Sequence, residues 1–497
     1  MAGAPRRVGR SVIRAFADGG GPALRGVLNT AGRLWATLDG LVNDRPIRVA
    51  VTGLSRSGKT VFLTSLIANL LAMGTGRPTL PALRARIDLG GKERLRNIRL
   101  VPARASTTPR FDYPGKLADM AAPQPQWPAR TEDLAEIELE LEIRSGNGIL
   151  GQIRTLTGTP RLRLELLDYP GEWLLDLPLL NQTHLKWSAE TLARLREKPR
   201  ADAAAEFLAF IAHIDPSRAA DDALIQRGHR LYKAALERCR SEHGLRYLQP
   251  GRFLTMGARN DAPFMWFFPA DNLPASPASG SIADLLNARF EAYKTDMRAN
   301  FFDTHFRAFD RQIVLVDTLG ALHAGRAAYE DTEHAIADIA ACLAGESPIL
   351  PRFLGGAGIE RVAFVATKAD HVPELHRDNL RALMRDMVHL AATHGPGGSD
   401  TVSYHAAASV VSTTDGWADQ PDGHREPVVW GRKIGEAQAR PYRVGNVPIT
   451  RPPESFWSGR YFELPSFTPP AIDPHGANGI PHLGLDRILA DLIGDRL

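Results

Sequence analysis

Residues 47–67 read IRVAVTGLSRSGKTVFLTSLI, a continuous apolar strand that runs into Gly53-x-x-x-x-Gly58-Lys59-Thr60 and then into an apolar helix. Strand before and helix after are the context that gives this motif its meaning as a phosphate-binding P-loop. Gly53 and Gly58 let the backbone fold around a polyphosphate, so that successive N–H groups point inward as an anion nest. The helix that follows aims its positive end at the same phosphates. Lys59 supplies a mobile cation for the β- and γ-phosphates, and the Thr60 hydroxyl is placed to ligate Mg²⁺. Ser55, Arg56, Ser57 and Val61 complete the loop and its exit. These residues predict a nucleoside triphosphate as ligand.

The base is read elsewhere. Residues 361–370, RVAFVATKAD, form a second apolar strand ending in Thr367-Lys368-Ala369-Asp370. In P-loop GTPases a T/N-K-x-D segment after a strand selects guanine, because a carboxylate accepts from both N1–H and the exocyclic amine, which adenine cannot offer together. Such a polar readout discriminates by on the order of 10⁴. The Lys368 stem is expected along the base plane with its head at the P-loop backbone. Thr367 stands where Asn is commoner. The last guanine contact is expected after the strand TVSYHAAAS, from the N–H of Ala407 or Ala408.

Two segments compete for the metal-side Asp-x-x-Gly motif, Asp168-Tyr169-Pro170-Gly171 and Asp317-Thr318-Leu319-Gly320. A Ras-like sheet needs one more parallel strand between this motif and the guanine reader. Choosing Asp168 leaves IVLVD to supply it, whereas choosing Asp317 leaves only helix-like sequence. Asp168 is therefore expected to hold Mg²⁺ through water, and the Gly171 N–H to sense the γ-phosphate. Upstream, Thr131 precedes the alternating strand of Ile137, Leu139, Leu141 and Ile143, the place of a switch Thr that completes the metal shell. Thr131 also fits a helix N-cap.

Taken together, the P-loop, WPART (residues 127–131), LLDYPGEWLLDLPLL, QPGRFL, FDRQIVLVD, TKAD and the tail PHLGLDRILADLIGDRL resemble the YcjX-like bacterial P-loop GTPases over nearly the whole chain from about residue 40. The resemblance implies a stress-linked, Ras-like nucleotide-binding protein and leaves its cellular task open. Where Ras-like enzymes carry a Gln to orient water, this chain has Glu172. A carboxylate beside a γ-phosphate is repelled unless a cation is interposed. Glu172 is thus either a base or a reason for slow hydrolysis, near or below the ~10⁻⁴ to 10⁻² s⁻¹ of unassisted GTPases; a solvated or ion-paired switch residue is the third reading. Arg56, inside the P-loop, and Arg130, beside Thr131, are candidate internal arginine fingers, or else loop arginines in nucleotide contact or in solvent. Trp127 is a candidate cover for the nucleotide from the switch side.

The expected architecture is an α/β Ras-like P-loop sheet with an α-helical insertion and a C-terminal extension. A Ras-like domain needs about 170 residues, and this chain has far more. We divide it into a basic N-terminal helical segment (1–45), the first part of the G domain (46–180), a mainly helical insertion (181–309), the second part of the G domain (310–415) and a Pro- and aromatic-rich extension (416–497). Apolar i, i+3, i+4 spacing recurs through the insertion.

A net charge of +4 is small for 497 residues and argues against nucleic acid as partner. The two cysteines, Cys239 and Cys342, lack CxxC spacing and fit a reducing cytoplasm. The Arg-rich N-terminal segment admits peripheral membrane docking or plain packing on the G domain. A guanine nucleotide with Mg²⁺ is the expected ligand, and a protein effector or activator of unknown identity the expected partner. Two other functions stay open: an ATP-hydrolysing P-loop enzyme, with Asp317 on the metal side, and a nucleotide-stabilised scaffold with little turnover.

Overall fold

The computed structural model describes residues 46–497 apart from 89–92, 103–107, 130–133, 145–160, 256–261, 345–358, 390–400, 420–422, 459–464 and 474. Arg130, Thr131 and the N-terminal segment 1–45 lie outside the described residues.

Seven strands form one sheet: β1 (Ile47–Gly53), β2 (Leu95–Leu100), β3 (Ala135–Ile143), β4 (Arg161–Asp168), β5 (Arg311–Val316), β6 (Arg361–Ala366) and β7 (Val402–Ala406), in the order β2-β3-β4-β1-β5-β6-β7. β4, β1, β5, β6 and β7 run parallel, and β3 is antiparallel to both neighbours. The expected strand between Asp168 and the guanine reader is β5, paired between β1 and β6. β2 was not anticipated, because its arginines disguise the alternation of LRNIRL; Arg99 meets Glu140 of β3 at 2.6 Å.

Period-2 alternation assigns the two faces of the parallel strands. Val49, Val51, Ile313, Leu315, Ala363 and Val365 face one core. There they meet α1 (Lys59–Gly74), α2 (Pro81–Ile87) and α3 (Tyr113–Ala121). Ala50, Leu167, Val314, Val316, Phe364 and Ala366 face the other. That core takes in α4 (Glu172–Asp176) and the insertion helices α5 (His184–Leu195), α6 (Ala205–Ile211), α7 (Asp222–Glu242) and α8 (Ile282–Met297). α9 (Thr318–His323), α10 (Arg326–Ala344) and α11 (Glu374–His389) lie on this same side. The insertion is held by interlocked rings: Trp187, Tyr232, Phe253, Phe267, Phe290 and Tyr293 are all fully buried. Aromatic pairs of this kind add about 0.5–1.5 kcal/mol each beyond the area they bury.

The C-terminal residues return to the first face. α12 (Leu485–Ile493) buries Leu485, Ile488, Leu489, Leu492 and Ile493, and each such side chain contributes about 1.5–3 kcal/mol before ordering entropy is subtracted. Asn69 of α1 donates to the Ile480 carbonyl and accepts from the Ile480 N–H, which straps this tail across the P-loop helix. Arg311, wholly buried, donates to the Leu492 carbonyl at 2.7 Å and pairs with Asp495 at 2.8 Å. The extension also holds a small antiparallel sheet, β8 (Thr413–Asp419), β9 (Arg425–Gly431) and β10 (Arg440–Tyr442), which its Pro-rich sequence concealed. Both cysteines are free and buried, and burial pushes the Cys239 thiol up to about 11. No helix among the described residues is long and apolar enough to cross a membrane.

Candidate functional site

β1 ends at Gly53, and the loop returns the chain to α1 with Arg56 (φ 69°) and Gly58 (φ 79°) in the left-handed region. Left-handed residues alternating with right-handed ones turn neighbouring N–H groups to one side, which is the geometry of an anion nest. Gly53 has no room for a side chain: a Cβ would sit 2.2 Å from Ser57 Oγ and 2.8 Å from the Leu315 carbonyl. Ser57 and Thr60 are buried, Ser55 and Val61 are half-buried, and Arg56 is exposed. Because a non-glycine residue at positive φ costs about 1–2 kcal/mol, Arg56→Gly is expected to raise the melting temperature of nucleotide-free protein. The same substitution lowers GTP affinity if the guanidinium contacts phosphate; a thermal scan beside a nucleotide titration separates the two effects.

β4 carries the remaining residues expected on the phosphate side. Asp168, 1% exposed at its end, forms an ion pair with Lys59. Gly171 then lies directly on the P-loop, its N–H donating to the Gly53 carbonyl at 3.3 Å. A Cβ on Gly171 would fall 2.7 Å from the Gly53 carbonyl carbon and 2.9 Å from Leu54 N. Both obstacles are backbone and cannot rotate away. Gly171→Ala is therefore expected to cost about 1–3 kcal/mol of stability and to displace either the P-loop or α4. Unfolding and nucleotide titrations at wild-type values would contradict that contact.

Glu172 is buried in the first turn of α4. At the end of the same helix Asp176 is sealed beneath the insertion. It accepts from Gly251 N (2.8 Å), Arg252 N (3.0 Å) and the Tyr293 hydroxyl (2.6 Å). Burial pushes its carboxyl up to about 6 against the lowering pull of those donors.

The residues expected to read the base lie at the ends of β5, β6 and β7. Asp317 caps α9 through the Gly320 N–H and takes the Lys368 ammonium at 2.5 Å. Burial would raise the Asp317 carboxyl, but Lys368, that N–H and Arg246 hold it below the ordinary range. The Lys368 head, expected at the P-loop backbone, is thus on Asp317, since a buried carboxylate holds an ammonium more strongly than carbonyls do. Thr367 donates both N–H and hydroxyl to the Val316 carbonyl. Asp370 is buried, and its Oδ2 accepts from Ser412 N (2.9 Å) and Ser412 Oγ (2.8 Å). His371, whose basicity is lowered by burial despite Asp370, stands 4.0 Å from Asp370 Oδ1.

The N–H groups of Ala407 and Ala408 are both donated within the protein, to Ala366 (2.9 Å) and Leu483 (3.0 Å) carbonyls. The ladder with β6 claims the first, and a bridge to the C-terminal tail claims the second. The expected register for the last guanine contact therefore does not match this structure. Trp127 donates its indole N–H to the Phe467 carbonyl at 2.7 Å, and the Phe467 ring packs edge-on against His371. Sequence reasoning missed Ser412, although a Ser-Thr pair following the small-residue run was a usable signal. It also missed Arg246 of the insertion, whose basicity burial lowers against the opposing charges of Asp317, Glu172 and Asp331. No local pattern marks that residue.

The donors on the phosphate side are hard oxygens, the Thr60 hydroxyl and the Asp168 carboxylate. They suit Mg²⁺, which keeps several waters and takes few protein ligands. Among the described residues no cluster of three His, Cys, Asp or Glu side chains forms a self-sufficient metal cage.

A P-loop between β1 and α1, flanked on the same sheet edge by the Asp168 and Asp370 turns, defines a P-loop NTPase fold of the Ras-like kind. The sequence profile of the YcjX-like family, DUF463, matches residues 47–497. A protein of Escherichia coli strain K12 named Ras-like GTPase YcjX is 34% identical over 477 residues, covering 94% of this chain and 99% of that one. Its namesake from Shewanella oneidensis MR-1 is 30% identical over 473 residues, covering 91% and 95%. The chain belongs to the YcjX-like family.

Proposed function

We propose that this chain is a Mg²⁺-dependent GTP-binding protein that hydrolyses GTP slowly and alternates between GTP and GDP states as a regulatory switch. The observation that carries this reading is the meeting of two sites on one sheet edge: the nest with Lys59 and Asp168, and the buried Asp370 carboxylate held by Ser412. The names of its relatives point the same way. Lys59 leaves Asp168 for the β- and γ-phosphates, and Thr60 with Asp168 holds Mg²⁺, joined by Thr131 if that residue is the switch Thr. The metal supplies neutralisation of phosphate charge. Gly171 exchanges the Gly53 carbonyl for the γ-phosphate, moving α4. Asp370 and Lys368 select guanine, and we assign the O6 contact to the Ser409 or Val410 N–H, which follow the two claimed alanines. A stress-linked task and a protein effector belong to the same proposal.

Titration with a fluorescent GTP analogue in Mg²⁺, competed by GTP, GDP and ATP, tests it. Displacement by guanine nucleotides and not by ATP is the expected result; equal displacement by ATP removes the role given to Asp370. The burial of Glu172 favours one second reading, a nucleotide-stabilised scaffold with little turnover. Single-turnover hydrolysis by Glu172→Gln and Arg130→Ala variants separates it.

A further inference from the structure

The segment 244–251 of the insertion touches elements on both sides of the P-loop. On one side Gly244 packs on Ala324 just beyond α9, and Asp331 of α10 accepts from the Arg246 and Tyr247 N–H groups. On the other side Gln249 Nε2 donates to the Leu175 carbonyl at 2.5 Å, and Gly251 lies against the Glu172 carbonyl. α4 and α9 start at the ends of β4 and β5, the strands on either side of β1. The segment therefore runs from α10 to α4, with Arg246 at the α10 anchor. Arg246 is half-buried, and the charges acting on it are Asp317, the P-loop residue Arg56, Glu172 and Asp331. Among the described residues its guanidinium donates to the Leu245 carbonyl at 3.3 Å, and a guanidinium carries five N–H donors.

We propose that Arg246 is an internal arginine finger: the helical insertion delivers its guanidinium to the γ-phosphate and to Glu172. This rests on the GTP reading above and extends it to the insertion. It answers the problem posed by Glu172, because a carboxylate beside a phosphate needs an interposed cation. Arg246 is carried by a part of the chain that a minimal G domain lacks. Its backbone is held by Asp331 and the following residues by α4, which fixes the point from which the guanidinium reaches. As α4 moves with the nucleotide, the Gln249 and Gly251 anchors on α4 carry Arg246 with it.

The test uses the full chain. Wild-type protein with GDP and aluminium fluoride, a mimic of the transferring phosphoryl group, is expected to form a complex without any partner, read by intrinsic fluorescence. Arg246→Ala should fail to form it, and its single-turnover GTP hydrolysis should fall by about 10³-fold. Its GDP affinity should stay within about fivefold of wild type, because GDP lacks the group that the guanidinium would meet. Wild-type hydrolysis or aluminium fluoride binding in folded Arg246→Ala overturns the proposal. If that variant does not fold, Arg246→Lys decides: loss of the aluminium fluoride complex supports a guanidinium role, and its retention with unchanged hydrolysis overturns it. Failure of the wild-type protein to bind GTP or GDP would instead remove the GTP reading, an outcome independent of either variant.

Discussion

Asp370→Asn is expected to lower GTP affinity by on the order of 10²–10⁴-fold and to move the preference toward xanthosine triphosphate. The carboxylate is buried, so its loss is not compensated by water. Ser412 sets the orientation of the substitute. Its N–H and hydroxyl both donate to Asp370 Oδ2, so an asparagine keeps its oxygen toward Ser412 and turns its NH₂ to the Oδ1 side. An NH₂ there repels the N1–H and amine of guanine but donates to the O2 of xanthine. Competition titration with GTP, ATP and xanthosine triphosphate measures the change. An unchanged GTP preference in Asp370→Asn would remove this residue from the base site.

Asp176→Ala should destabilise the protein by about 3 kcal/mol, because three donors buried beneath the insertion lose their acceptor at once. Alanine also removes the desolvation cost of the buried carboxylate, which keeps the net below the sum of three lost bonds. This opposing contribution depends on pH. The folded carboxyl titrates at about 6, whereas an unfolded Asp titrates at about 4. Between those values the folded chain binds more protons at this site, so its contribution to stability falls as pH rises. The loss in Asp176→Ala is therefore larger near pH 4.5 than at pH 7.5. Urea unfolding at both pH values reads it, and a loss under about 1 kcal/mol at both would show that the latch between α4 and the insertion does little.

The P-loop, the Asp168 turn and the TKAD turn were legible because each is a local sequence of strand, turn and helix whose chemistry acts within a few residues. Strand counting was enough to prefer Asp168 over Asp317, and the structure brings Asp168 to Lys59 and Asp317 to Lys368. β2 and the β8–β10 sheet were hidden, since edge and extension strands rich in Arg, Pro and Gly lack a clean apolar alternation. The Ala407 and Ala408 register failed for a related reason: a backbone N–H carries no sequence signal of what it pairs with. Only packing showed Ala366 and Leu483 as the partners.

The sequence by itself determined the doubly flanked phosphate loop, the parallel strands that end in the Asp168 and TKAD turns, and the helical insertion. Those follow from steric and hydrogen-bonding rules that operate over one turn or one strand. Which distant charges share a site was decided by the tertiary structure alone. Ser412 on Asp370, and Asp176 under Gly251 and Tyr293, join residues far apart in the chain. Such pairings depend on how whole elements pack, and the physical reason is burial: a charge withdrawn from water must meet its partner in space, wherever the chain supplies it.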